Sequence, residues 1–146
     1  GSEGSPFIDP KSYPRLSVCS PSCHDSSTLR GYWEEEWDKG NYFNLLKING
    51  ECPATLTEEV AKHSIERLLL SNSLLAIIPF QDLMALKSEM VSNQNPDDER
   101  INIPGTMGQS NWTWRMSMNI KALKKSKKYN AFLKEFLSIR GNMKLN

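Results

Sequence analysis

The residues best suited to chemistry sit together in Ser22-Cys23-His24-Asp25-Ser26-Ser27-Thr28, directly after the apolar-leaning run Leu16 to Cys19 and the break at Ser20-Pro21. A His-Asp pair between a strand and the following helix lies where α/β barrels keep catalytic groups, because the loops at the strands' C-terminal ends line the site. From position alone Asp25 is either such a group or an N-cap carboxylate. His24 is either its partner or a hydrogen-bonded loop histidine. Cys19, Cys23 and His24 do not suit a metal. On an extended segment residues 19 and 23 share a face while 24 points away, and there is no second Cys-x-x-Cys pair. No metal is expected.

Four tryptophans, Trp33, Trp37, Trp112 and Trp114, offer flat apolar faces of the kind that stack on sugar rings, with core packing as the alternative. Trp112 and Trp114 alternate beside Asn111 and Arg115, so one can face the core and the other a cleft. Asn111-Trp112-Thr113 also fits a glycosylation acceptor and is read as a chance match. The lysine-rich stretch Lys121 to Lys128 lacks interleaved aromatics and reads as a solvated face.

Several elements must position these groups. Pro6, Pro10 and Pro14 make Gly1 to Arg15 a loop. Leu16 to Cys19 reads as a strand, and Ser26 or Ser27 as the cap of a helix through Trp33, followed by Glu34-Glu35-Glu36. Thr55 and Glu58 have capping-box spacing, and Ala61, Ile65, Leu68 and Leu69 repeat at helical intervals toward Asn72. Leu74 to Pro79 is a continuous apolar run, the pattern of a parallel strand buried on both faces. After it come a short helix and an exposed polar loop, Gln94 to Arg100. Tyr129, Phe132, Leu133, Phe136 and Leu137 mark a terminal helix that Gly141 is placed to stop. The class is α/β with at most two parallel strands, too few to form a sheet that covers them, so neighbouring strands are expected upstream.

Composition narrows the partners. The 146 residues are 38% hydrophobic and 24% charged, with a formal net charge of +1. That balance fits one globular domain and gives no field that attracts nucleic acid or an anionic membrane. No apolar run approaches the roughly 18 residues of a spanning helix, and Gly1 to Pro10 has no secretory pattern. Three cysteines are too few for a disulfide scaffold. A cytoplasmic protein with an uncharged partner is expected.

Three stretches in order are recognisable. Tyr13 to Cys19 with Ser22-Cys23-His24-Asp25-Ser26-Ser27-Thr28-Leu29-Arg30-Gly31-Tyr32-Trp33-Glu34-Glu35 comes first. Leu75-Ala76-Ile77-Ile78-Pro79-Phe80-Gln81-Asp82-Leu83-Met84-Ala85-Leu86 follows. Arg100-Ile101-Asn102-Ile103-Pro104-Gly105-Thr106-Met107 with Asn111-Trp112-Thr113-Trp114-Arg115 is the third. Together they resemble the 4-alpha-glucanotransferases of glycoside hydrolase family 77, the amylomaltases, and the Ser-Cys-His-Asp version is most similar to the disproportionating-enzyme branch that acts on maltose.

The resemblance implies the last two βα units of a (β/α)8 TIM-type barrel. Leu16 to Cys19 would be the seventh strand and Leu74 to Pro79 the eighth, in a C-terminal fragment of one catalytic domain whose family motifs span 13–116 and whose terminal helical segment spans 117–146. It implies a retaining double displacement between α-1,4-glucans, maltose or maltooligosaccharides and acceptor sugars. The aspartate nucleophile and glutamate acid/base would lie upstream, in the missing N-terminal part of the same barrel, so this chain alone should be inactive. Asp25 corresponds to the family's third carboxylate and His24 to the adjacent sugar-binding histidine. Asn102 is similar to its late active-site asparagine, and Trp112 would meet the glucan. Gln81 and Asp82 stand just past the eighth strand, where a site can use them, with helix capping by Asp82 as the alternative. A non-catalytic carbohydrate-binding or structural fragment is the rival reading.

Overall fold

The computed structural model describes residues 7–35, 38–91 and 95–142. Gly1 to Pro6, Glu36, Trp37 and Gln94, which carry parts of the expectations above, lie outside the described residues. The chain runs through strand β1 (Val18–Cys19), helices α1 (Leu29–Glu35), α2 (Lys39–Leu46) and α3 (Glu58–Leu69), strand β2 (Leu75–Ala76), and helices α4 (Phe80–Met84), α5 (Ile120–Lys125) and α6 (Lys127–Gly141). Single 3-10 turns form at Pro10–Ser12, Ser88–Met90 and Pro96–Glu99. No helix among the described residues is long and apolar enough to cross a membrane.

The α/β class is observed: β1 and β2 pair in parallel, Val18 opposite Leu75 and Cys19 opposite Ala76. Parallel pairing needs a crossover, and α1, α2 and α3 supply it. Both strands are shorter than the apolar runs that encode them. The Leu74 to Pro79 run is also not buried on both faces in this chain: Ile78 packs against the core, while Leu75 and Ile77 are 53% and 57% exposed. On β1, Val18 is exposed and Cys19 is buried, its thiol 3.2 Å from the Ser71 hydroxyl. One layer of helices covers one side of a two-stranded sheet, and the other side keeps its hydrophobic residues in the open.

The helices obey their apolar spacing. On α3, Val60, Ala61, Ile65 and Leu69 are buried; Ala61, Ile65 and Leu69 join Leu29 and Phe136 in the main core, with Leu133 and Leu137 of α6 packed against it. The cap differs from the Thr55–Glu58 box. Thr57 caps, its hydroxyl accepting from the Val60 N–H at 3.2 Å. Glu58 then stands at the first helical position, too early to reach back to the cap, and it accepts from the Ser88 N–H and hydroxyl. Helix α1 begins later than Ser26 or Ser27. The Thr28 hydroxyl accepts from the Gly31 N–H at 3.1 Å, whereas the Ser26 hydroxyl turns back to Cys23. At Gly31 the approach is close: a Cβ there would stand 3.2 Å from the Ser27 Cβ, and Ser27 would have to shift to admit it.

Two helices go beyond the expected set. Helix α2 contains Gly40, Asn41 and Asn44, poor helix formers, and is held by Phe43 and Leu46 packing with Trp33 and Val60. Helix α5 is capped by Asn119, which accepts from the Ala122 N–H at 2.8 Å; none of its residues is fully buried, and only Leu123 packs against the Met84, Met90 and Tyr129 cluster. Its lysines are the solvated face expected of them.

Candidate functional site

The loop between β1 and α1 carries His24 and Asp25 at the surface, with side chains 55% and 49% exposed. His24 Nε2 lies 3.2 Å from Asp25 Oδ2. The third partner arrives from far along the chain. Asn102 Nδ2 donates to Asp25 Oδ1 at 2.8 Å, and the Asn102 backbone N–H donates to the His24 carbonyl at 3.0 Å. The Asn102 amide and backbone together therefore fix both the Asp25 carboxylate and the main chain beside it. Trp112 closes the group, its ring centroid 5.2 Å from that of His24 at an interplanar angle of 39°.

The 101–113 segment that delivers Asn102 and Trp112 is tied to itself. Asn111 accepts from the Ile103 N–H at 3.1 Å and donates to the Thr106 carbonyl and hydroxyl. Trp112 sits at φ 63°, a left-handed conformation costly for a bulky residue, with its N–H directed at the Ile101 carbonyl. Its side chain is 62% exposed. An exposed carboxylate, an imidazole and an open indole face form a surface that can accept and donate hydrogen bonds to hydroxyls while covering an apolar ring face.

The other residues singled out in the sequence fall elsewhere. Gln81 donates to the Glu99 carbonyl at 3.3 Å and lines a second cleft with Arg30, Met84, Glu99, Trp114 and Arg115. Trp114 is half-buried there, so the two alternating tryptophans do occupy different surroundings. Trp33 is core, fully buried with its indole N–H donating to the Pro53 carbonyl at 2.9 Å. Asp82 is also fully buried. Its Oδ2 accepts from the Ser22 hydroxyl at 2.6 Å and its Oδ1 from the Leu29 N–H at 2.8 Å. It therefore caps α1, not its own helix. Burial pushes the Asp82 carboxyl above its ordinary value, and the Ser22 and Leu29 hydrogen bonds oppose that rise.

Glu99 departs from the exposed-loop reading of Gln94 to Arg100. It is 8% exposed and paired with Arg30 at 2.9 Å. Burial raises its carboxyl, and the guanidinium pulls it back. No local pattern distinguishes Glu99 from Asp97 or Asp98, because the partner lies 69 residues away. Among the described residues no group of three His, Cys, Asp or Glu is placed to hold a metal.

Comparison with known proteins adds independent findings. Residues 1–121 match the family model described as 4-alpha-glucanotransferase, glycoside hydrolase family 77. The chain is 34% identical over 137 residues to the 4-alpha-glucanotransferase DPE2 of Oryza sativa subsp. japonica, covering 92% of this chain and 14% of that protein. It is 36% identical over 125 residues to a 4-alpha-glucanotransferase of Chlamydia trachomatis, covering 83% of this chain and 23% of that one. The fold is similar to an amylomaltase from Streptococcus agalactiae solved in complex with acarbose, with a TM-score of 0.66, 25% identity, and coverage of 92% of this chain and 24% of that one. The chain thus spans less than a quarter of the length of each of these three proteins.

Proposed function

The chain belongs to the 4-alpha-glucanotransferase family, and on that premise we propose that it forms the last two βα units of a TIM-type barrel that moves α-1,4-linked glucosyl or maltooligosaccharyl units onto acceptor sugars. The rest of the barrel, including the carboxylate nucleophile and the acid/base, comes from sequence N-terminal to Gly1. Residues 1–146 alone are inactive. Donors and acceptors are α-1,4-glucans, maltose or maltooligosaccharides, and the reaction proceeds in the cytoplasm without a cofactor.

The observation that carries this reading is the convergence of Asp25, His24, Asn102 and Trp112 on one exposed surface. In a retaining displacement the sugar ring flattens and gains positive charge, so hydrogen bonds to its hydroxyls strengthen in the transition state. A carboxylate fixed by Asn102 accepts those bonds better than a neutral group and opposes the growing charge. His24 adds a second polar contact, and the Trp112 face covers apolar ring surface. Gln81, in the separate cleft with Glu99 and Trp114, offers a further polar contact outside that group. The open apolar side of β1 and β2 supports the barrel placement, since Val18, Leu75 and Ile77 would be covered by neighbouring strands and interior side chains.

The test is a transfer assay on the full-length protein with maltotriose. Glucose together with maltooligosaccharides longer than the donor is the expected product set. Glucose and maltose in equal amounts, with nothing longer, would mean hydrolysis and defeat the reading.

A further inference from the structure

We propose that Asp82 is a positioning residue that holds both ends of the loop bearing His24 and Asp25, an inference that rests on the function proposed above. One carboxylate receives Ser22 at the start of the segment and Leu29 at its end. Fully extended, the seven steps between those residues would span roughly 23 Å, yet the two hydrogen bonds hold the Ser22 hydroxyl and the Leu29 N–H within about 8 Å of each other. The loop that projects Asp25 is thus closed on a single buried anchor.

A helix cap would account for only one of these bonds. The Leu29 N–H is an unpaired donor of the first turn of α1, and an acceptor there satisfies it. The Ser22 bond lies seven residues earlier, outside the helix, and adds nothing to α1. What the two bonds share is the loop between them. Asp82 itself sits at the start of α4, directly after β2 and Pro79, so the anchor also registers the loop after β1 against the element after β2. Between those two ends, Asn102 holds Asp25 and the His24 carbonyl. With the ends and the middle of the loop both tethered, the carboxylate enters the reaction already oriented, and little loop entropy remains to be lost when sugar binds.

Three variants of the full-length protein test this: Asp82→Leu, Asp82→Asn and Ser22→Ala. Amide hydrogen exchange reports the loop, and steady-state transfer from maltose reports its use. Asp82→Leu keeps the bulk and removes both bonds. Exchange at Ser26, whose N–H bonds the Cys23 carbonyl, and at Asn102 should quicken by about tenfold. Amides of α3 and α6 should change less, and kcat should fall about tenfold while KM moves less than about threefold. Asp82→Asn retains an acceptor for Leu29 and offers an amide to the Ser22 oxygen, so it should recover most of both losses. Ser22→Ala removes one tether at a half-buried position and keeps the question answerable if Asp82→Leu does not fold.

Uniform loss of protection across the chain, or unchanged loop exchange, would overturn the proposal. So would a kcat loss in Asp82→Asn with normal exchange, which would make Asp82 a sugar contact. Asp25→Asn is the control for the function itself. If it abolishes transfer while Ser22→Ala and Asp82→Leu loosen the loop without lowering kcat, positioning fails and the function stands. If Asp25→Asn also transfers normally, the function proposed for the site has failed.

Discussion

Replacing Asp25 by Asn removes a charge and little else. A carboxylate has about four lone-pair positions. Asn102 occupies one at 2.8 Å and His24 stands at another, leaving about two for sugar hydroxyls. Charge-assisted hydrogen bonds exceed neutral ones by roughly 1 to 1.5 kcal/mol, so weakening two of them in the transition state costs about 2 to 3 kcal/mol. That corresponds to roughly a hundredfold loss in kcat. The fold should hardly respond. The substituted amide oxygen still accepts from Asn102, and the His24–Asp25 pair is half-exposed, where screening leaves ion pairs contributing little. The assay is glucose release from maltotriose by the full-length protein, with a thermal melt of the same sample. Turnover within about threefold of the parent, in a variant with unchanged Tm, would refute the reasoning.

Trp112→Ala should leave Tm nearly unchanged, because the ring is 62% exposed, and should raise KM for long glucans more than for maltose. Trp114→Ala should lower Tm clearly, since its half-buried ring packs into the Arg30–Glu99 cleft; equal Tm losses and unchanged KM in both would assign both rings to packing. Glu58 is held below its ordinary value, first by the Ser88 N–H and then by the Ser88 hydroxyl. Its contribution is therefore present above the usual carboxylate range of about 4 to 4.5 and is lost as pH falls through the lower folded value. Glu58→Gln should melt earlier than the parent at neutral pH, with the gap closing on acidification; a gap independent of pH would exclude this linkage. Residues 1–146 expressed alone should self-associate through Leu16, Val18, Leu75 and Ile77. Sedimentation velocity showing a monomer, together with a cooperative melt, would contradict that expectation.

The helices α3 and α6 were legible because burial of one helical face leaves a short-range period, and the positions it marked at Ala61, Ile65, Tyr129 and Phe136 are buried. The parallel pairing of β1 and β2 was legible for a related reason, since continuous apolar runs separated by helices have few other ways to pack. His24 and Asp25 were visible by residue type and by place after a strand. Their assembly was not. Asn102 reaches Asp25 across 77 residues, and Asp82 reaches Ser22 across 60 and Leu29 across 53. Likewise Glu99 is drawn inside by Arg30, and α2 is helical despite Gly40, Asn41 and Asn44 because Phe43 and Leu46 find a core. Sequence by itself determined the elements whose signal is local: periodicity, turn residues and motif spacing. Tertiary structure alone decided which carboxylate meets water, which is buried as an anchor and which is paired, because a carboxylate's state depends on the groups that face it and those come from distant parts of the chain.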